Sequence, residues 1–333
     1  MKSISKKLSI VGLAIVAAVI LFAKLDLNTY LNTYLNNDLN QSSGQVQGRS
    51  QRKEEGLLEV IFFDVGQGDS ALINTPRNRQ ILVDGGPDNA VLEKLAHYLD
   101  FNDRYIDIVV LTHPHADHVD GLVSVLKRYE VGEVWMTGVV HTLSKYLEFL
   151  NLIKEKNIRA KIIYACSSDK QQDIDIIGEP GCTDEIILEP NIKISFLWPV
   201  ENLTGRKVDN LNNSSITFRL KHSENYFLFT GDIEKEAEYG IIEHRGDYIQ
   251  SNVLKVAHHG SSVSSIEEFL DLVNPDYAVI SVGQDNQFGH PSLRVIRRLE
   301  RMSVPILRTD LNGDIIFISN GSNLISKLAF DNL

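Results

Sequence analysis

The chain has 333 residues, 43% hydrophobic and 23% charged, enough to bury a core in one large or two ordinary domains. Its formal net charge is −11, and residues 1–55 carry seven Lys/Arg against four Asp/Glu, which leaves about −14 on the rest. That acidity argues against a broad phosphate-tracking surface, though not against a phosphodiester drawn in by bound cations, and two isolated cysteines exclude a cysteine-rich zinc site.

The first element is an uncharged apolar run from Leu8 to Ala23, with Lys2, Lys6 and Lys7 before it and Lys24 after it. Such a run spans about 24 Å, and flanking lysines extend its reach. It reads as a signal anchor or signal peptide over 1–24, and Leu21 spoils a small-residue cleavage pattern. The positive flank stays inside, so the body is expected outside the cytoplasmic membrane, or secreted if the segment is removed. Residues 25–56 are rich in Asn, Gln, Ser and Gly and read as a flexible polar linker. A single domain is expected over 57–333.

Strands are expected at Glu59–Asp64, Ser70–Thr75 and Gln80–Asp84, followed by a helix over Ala90–Leu99 and a buried strand over Ile106–Leu111. A helix over Gly121–Tyr129, a strand over Val131–Met136 and a helix over Leu143–Lys156 come next. Cys166 and Cys182 lie in a polar stretch, where they either pair or stay as thiols. Later strands are expected at Lys161–Tyr164, Ile192–Trp198, Ser215–Lys221, Tyr226–Thr230, Val253–Ala257, Ala278–Val282, Pro305–Leu307 and Ile315–Ile318. Helices fit Ile233–Glu243, Ile266–Val273 and Leu293–Arg301. Strands followed by strand–helix alternation, twice over, suggest two similar α/β halves.

Chemistry gathers where these strands end. His113-Pro114-His115-Ala116-Asp117-His118 puts three imidazoles and a carboxylate within six residues of a chain that has ten histidines. Mixed nitrogen and oxygen ligation of this kind suits zinc, manganese or iron. Asp84 follows a second strand, Gly231-Asp232 a third and His258-His259 a fourth. Asp and Gly at a strand end are ordinary turn residues when taken singly, and only the combination favours a site. The glycine-rich Asp64–Ser70 lacks the Gly-Lys-Ser/Thr ending of a phosphate-binding loop, so it is either a tight hairpin or a lining of the site.

The HxHxDH motif at 113–118, Gly-Asp at 231–232 and the later histidine at 258 or 259 resemble the metallo-β-lactamase superfamily. Asp64–Ser70, Lys255–Ser262 and Gly289-His290-Pro291 are similar, more narrowly, to the extracytoplasmic hydrolase domain of ComEC-type competence proteins. The resemblance implies a four-layer αββα sandwich, one or two divalent ions (Zn or Mn) and a site at one edge. Carried over by position, His113 and His115 bind the first ion. Asp117, His118 and His258 bind the second, with His259 the alternative to His258, and Asp232 bridges the two. Asp84 orients the ligand loop from behind. Asp117, Asp232 and His290 are the implied catalytic groups, with Ser261 as a hydrogen-bond donor to an oxyanion. The superfamily has a further histidine before the bridging aspartate. Here that stretch is Asn210–Ser215, where Asn212 or Asn213 is expected to act as a weak ligand or substrate contact, and His222 lies at the far end of the next strand. The leading function is metal-dependent hydrolysis of a phosphodiester, with nucleic acid as the favoured substrate, linked to DNA uptake. The alternatives are hydrolysis of a small extracellular ester, lactone or lactam, and a surface binding protein with a vestigial metal site. With one candidate membrane span, a separate membrane channel is a candidate partner.

Overall fold

The computed structural model describes residues 56–166 and 181–328. The expected signal or anchor segment at 1–24 and nearly all of the linker at 25–56 lie outside them. No helix among the described residues is long and apolar enough to cross a membrane.

The chain first lays down β1 (Leu58–Phe62), β2 (Ala71–Asn74) and β3 (Gln80–Val83) as an antiparallel meander. It then alternates α1 (Ala90–Tyr98), β4 (Tyr105–Val110), α2 (Ala116–Arg128), β5 (Glu130–Met136), α3 (Ser144–Glu155) and β6 (Arg159–Ile162). β3 to β6 are parallel, as helical crossovers require. The second half repeats the scheme. β7 (Glu185–Glu189), β8 (Ile192–Trp198), β9 (Thr217–His222) and β10 (Asn225–Phe229) are antiparallel. α4 (Lys235–Arg245), β11 (Val253–Lys255), α5 (Glu267–Val273), β12 (Tyr277–Ile280), α6 (Leu293–Arg301) and β13 (Ile306–Arg308) follow, with β10 to β13 parallel. A short α7 (Thr309–Asn312) leads to β14 (Ile315–Ser319) and β15 (Leu324–Leu328), which return to the first sheet beside β1. Among the described residues the sheets have eight and seven strands.

The two sheets face each other across one apolar core. Val60, Phe62, Ile81 and Val110 of the first meet Phe196, Phe218, Phe229 and Val279 of the second. Phe62, Phe218 and Phe229 stack in a row across the interface. The outer face of the second sheet carries Leu228, Leu254 and Ala278, covered by Ala237 and Ile241 of α4, Phe269 and Leu270 of α5, and Val295 and Leu299 of α6. The first sheet buries Leu72, Leu82 and Val109 on its other face, on the side of the crossover helices α1 to α3. The order of layers is helix, sheet, sheet, helix.

Three differences from the sequence reading matter. The helix expected from Gly121 begins at Ala116, so Asp117 and His118 stand in its first turn. β7 and β15, both partly exposed edge strands, carry weak alternation and escape notice. Cys166 and Cys182, left open above, are disulfide-bonded.

Close contacts fix the helices. α2 crosses the turn after β3 at Gly121, where an added Cβ would run into the Gly85 carbonyl oxygen and come within 2.7 Å of Asp88 O. Backbone sits on both sides, so neither can yield. Gly121→Ala is therefore expected to destabilise the fold by about 2–3 kcal/mol in chemical denaturation, although alanine favours an isolated helix by about 1 kcal/mol.

α4 carries Glu238, fully buried, whose carboxylate accepts the N–H groups of Ser265 (2.6 Å) and Ile266 (2.9 Å) at the start of α5. Burial pushes this carboxyl from its usual 4.5 up to about 7, against the downward pull of those amides and of Arg298. The folded protein thus holds a proton that the unfolded chain has released between these pH values. The stability this group contributes is fully present below about pH 4.5 and lost as pH rises through about 7. Denaturation midpoints should fall between pH 5 and pH 8, by at most about 3 kcal/mol from this group, and Glu238→Gln should flatten that slope.

Candidate metal centre

The site lies beyond the carboxyl ends of β3, β4, β10, β11 and β12, where the two sheets open. Asp84 leaves β3 in a left-handed conformation (φ 56°) that turns its carboxylate back into the fold. Oδ1 accepts the Thr112 N–H (2.8 Å) and Oδ2 accepts the Thr112 hydroxyl (2.7 Å). Oδ2 also accepts Nδ1–H of His118 at 2.8 Å. With its proton on Nδ1, a neutral His118 ring presents the lone pair of Nε2, which lies 3.3 Å from Asp232 Oδ2.

His259 is prepared in the same way. Its Nδ1–H donates to the Ser281 carbonyl (2.8 Å), so the lone pair of the neutral ring is again on Nε2. That nitrogen lies 3.2 Å from Asp117 Oδ2 and 3.3 Å from Asp232 Oδ2. The Asp232 N–H donates to Ser215 Oγ (3.1 Å), which fixes the turn after β10. Donor atoms of Asp117, His118, Asp232 and His259 all lie within 4.8 Å of one another.

His258, expected in this set, stands outside it. His258 and His259 take consecutive left-handed conformations (φ 50° and 53°), which swings their rings apart. His258 Nδ1 lies 3.6 Å from Glu234 at the mouth of the site, and His259 takes the inner place. His113 and His115 adjoin the set without joining it. His113 Nε2 faces His115 Nδ1 at 2.9 Å and Asp232 Oδ2 only at 4.0 Å, and its Nδ1 meets the Thr112 and Ser215 hydroxyls at 3.2 Å. Asn212 and Asn213 brace the loop. Asn212 donates to Glu234 Oε1, and Asn213 Oδ1 accepts the Glu234 N–H, both at 2.8 Å. Ser261 is buried just beyond, its N–H on the His258 carbonyl. The ring of His290 lies 5.7 Å from His258 and 6.5 Å from His259. His222 is remote and faces Ser319.

The sequence reading missed a supporting pair. Asp69 ends the glycine-rich stretch, buried, with Oδ2 on Lys255 Nζ at 2.6 Å and Oδ1 3.3 Å from His259 Nδ1. Its place follows from Gly68, which packs against the first turn of α2 while the Asp69 N–H donates to Asp117 O. The stretch thus lines the site. Asn286 is a second omission, its side chain holding both the N–H and the carbonyl of His290.

Electrostatics agree with the geometry. Desolvation alone would lower His118, but Asp232, Asp84 and Asp117 raise it well above the usual range. Asp232 and Asp69 do the same to His259 against its desolvation. Asp232 is held far below the carboxylate range, with the two imidazoles overcoming its burial. His113 and His115 go the other way, kept neutral mainly by burial. The field therefore favours positive charge where the four donors converge. Two buried acceptor atoms there, His118 Nε2 and Asp232 Oδ1, have no hydrogen-bond partner among the described residues. Unsatisfied buried acceptors, lone pairs preset by their partners and a cation-favouring field fit a divalent ion.

A model of the metallo-beta-lactamase superfamily matches residues 63–284. The ComE operon protein 3 of Bacillus subtilis (strain 168) is 28% identical over 274 residues, covering 77% of this chain and 32% of that protein. Competence protein ComA of Neisseria gonorrhoeae is 28% identical over 259 residues, covering 78% of this chain and 32% of that one. The chain thus spans about a third of the length of these curated relatives. Among solved structures, Igni18, a novel metallo hydrolase from the hyperthermophilic archaeon Ignicoccus hospitalis, superposes with a TM-score of 0.48 at 13% identity over 78% of this chain and 98% of that one.

These roles are separable by titrating chelator-treated protein with Mn²⁺ or Zn²⁺ in a calorimeter. Asp84→Asn, which frees the His118 ring, should weaken binding by about 10- to 100-fold. His259→Ala should weaken it more than that, and His258→Ala should leave it near the wild-type value.

Proposed function

The chain belongs to the metallo-beta-lactamase superfamily, and from that premise we propose that it hydrolyses phosphodiester bonds, in DNA or a nucleotide, with a divalent cation. The observation that carries this reading is the convergence of Asp117, His118, Asp232 and His259 around buried lone pairs that no protein donor satisfies. Those four residues would hold the ion. Two imidazoles and two carboxylates suit zinc or manganese. His113 and His115, a neutral pair of nitrogens beside Asp232, would serve a second and weaker ion. A bound divalent cation supplies Lewis acidity, which neutralises phosphoryl charge and lowers the pKa of water.

The chain's own groups do the rest. Asp117 is the open member of the set, its side chain 30% exposed, so its carboxylate is the one best placed to take a proton from attacking water. Asp232 is 2% exposed and stays ionised, which fixes charge at the centre. His290 is brought down to about 4 by burial and by the neighbouring histidines. As a neutral ring it can donate a hydrogen bond to a leaving oxygen. Asn212, Asn213 and Glu234 hold His258 at the mouth and shape the entrance.

DNA is the favoured substrate because one curated relative is a competence protein. The disulfide and the N-terminal apolar run support a catalytic body outside the cytoplasmic membrane, tethered by residues 1–24 or released. A separate membrane channel is the partner this reading calls for.

The test uses the full chain with Mn²⁺ or Zn²⁺ on DNA and on bis-p-nitrophenyl phosphate. Chelation should stop both reactions. Asp232→Ala and His118→Ala should each lower the rate by more than the roughly 100-fold that loss of a supporting partner costs. Full activity in Asp232→Ala would sink the assignment. Turnover of lactones or lactams without any phosphodiester would move the function to a small extracellular substrate.

A further inference from the structure

On this acidic protein, positive charge gathers on α6. Arg294, Arg297, Arg298 and Arg301 follow a spacing of three, four and seven residues and share an arc of about 100° on the helix. Two of the four are occupied. Arg298 donates to the Ser264 and Ser265 carbonyls, and Arg301 pairs with Glu267. Arg294 and Arg297 are exposed and make no ion pair or hydrogen bond among the described residues. They line an open groove of about 400 Å³. They stand about 4.5 Å apart along the axis and so address neighbouring anions rather than one.

α6 begins three residues after His290, and a second feature lies just before it in the chain. Phe288 is 69% exposed, yet its ring lies nearly parallel to that of His290, 16° apart with centroids at 5.8 Å. The His290 ring lies in turn 28° from the plane of His259. A graded stack of three rings thus runs from a buried donor of the metal centre out to solvent, and its outer face is an aromatic ring with nothing upon it among the described residues.

We propose that Phe288 and the arginine row of α6 form a docking surface for a single-stranded polynucleotide. One base extends the ring stack on Phe288, and the adjoining phosphates lie on Arg294 and Arg297. This rests on the phosphodiester reading above for the class of ligand, and it needs no cation. A duplex would not offer an unstacked base, whereas base–aromatic stacking tolerates any sequence. Exposed Phe288 and Leu293 beside arginines also describe a helix lying on an anionic membrane. The parallel stacking of Phe288 on His290 favours a flat ring as the next layer rather than an acyl chain.

The experiment is fluorescence anisotropy of a labelled oligothymidylate with the full chain in detergent and EDTA, over a series of salt concentrations. Arg294→Glu with Arg297→Glu should weaken binding at least tenfold and flatten the slope of log K against log salt by about 1.4. Phe288→Ala should weaken it by about 5- to 100-fold with the slope unchanged, and Phe288→Tyr should restore it. All these side chains are exposed, and matching thermal midpoints will verify folding. Wild-type protein without salt-dependent binding, or variants that bind like wild type, overturn the proposal. So does sedimentation with phosphatidylglycerol vesicles through these residues in the absence of oligonucleotide binding. Protein that binds through this surface but cleaves no diester refutes the catalytic reading alone.

Discussion

The arrangement hangs on the carboxylate of Asp84. One buried side chain accepts a backbone amide and a hydroxyl from Thr112 and an imidazole N–H from His118. It therefore ties the end of β3 to the end of β4 and to the first turn of α2. Each of these is a chain segment whose backbone direction changes sharply. Without a shared acceptor, the polar groups of all three would be buried unpaired, at about 1–3 kcal/mol for each group. The left-handed backbone at Asp84 costs about 1–3 kcal/mol itself, and three hydrogen bonds over-determine it. Support and site share one cause, because the bond that locks the loop also sets which nitrogen of His118 is left free.

The other half of the centre is braced by interlocked loops. The turn after β10 carries Asp232 and the turn after β11 carries His259. Gly231 lends its carbonyl to the His258 N–H, and Ile233 lends its own to the Ser264 hydroxyl. Glu238 then closes the pair from α4 by capping α5. Asp69 and Lys255 add a buried ion pair beneath His259. Such a pair contributes little net stability. Its evident effect is to hold the imidazole between the Ser281 carbonyl and the two carboxylates.

Much of this was legible in the sequence. The two halves and the strand-end positions follow from apolar strands that end in Asp and His, which gather here at four strand ends, although Asp taken singly is an ordinary turn residue. The orienting role of Asp84 was implied only by the family resemblance, and its bond to His118 agrees with it. The choice between His258 and His259 could not be read, because it depends on two successive left-handed residues, which adjacent imidazoles do not announce. Asp69 stayed hidden since Asp64–Ser70 has the composition of a tight hairpin. The start of α2 was set too late because Pro114 and the charged residues after it mimic a loop. In the fold the helix starts at Ala116, two residues after Pro114, with Asp117 near the positive end of the helix dipole.

The contrast between the two pairs of histidines has a physical origin. His118 and His259 each face two or more carboxylates and are drawn towards positive charge. His113 and His115 face each other and are kept neutral by burial. The difference traces to Asn210–Ser215, where a hydroxyl, Ser215 Oγ, occupies the flank of His113 and also holds the Asp232 amide. A hydroxyl there supplies no further nitrogen ligand, as an imidazole would. The centre is accordingly asymmetric: one side has four donors and a cation-favouring field, and the other has two neutral nitrogens. A polyanionic substrate approaching a chain of net charge −11 would then meet two positive features, an ion held by the four donors as proposed and the arginines of α6 that have no partner among the described residues. On the proposed docking surface, a substrate that spans both would be favoured over one that reaches only the first.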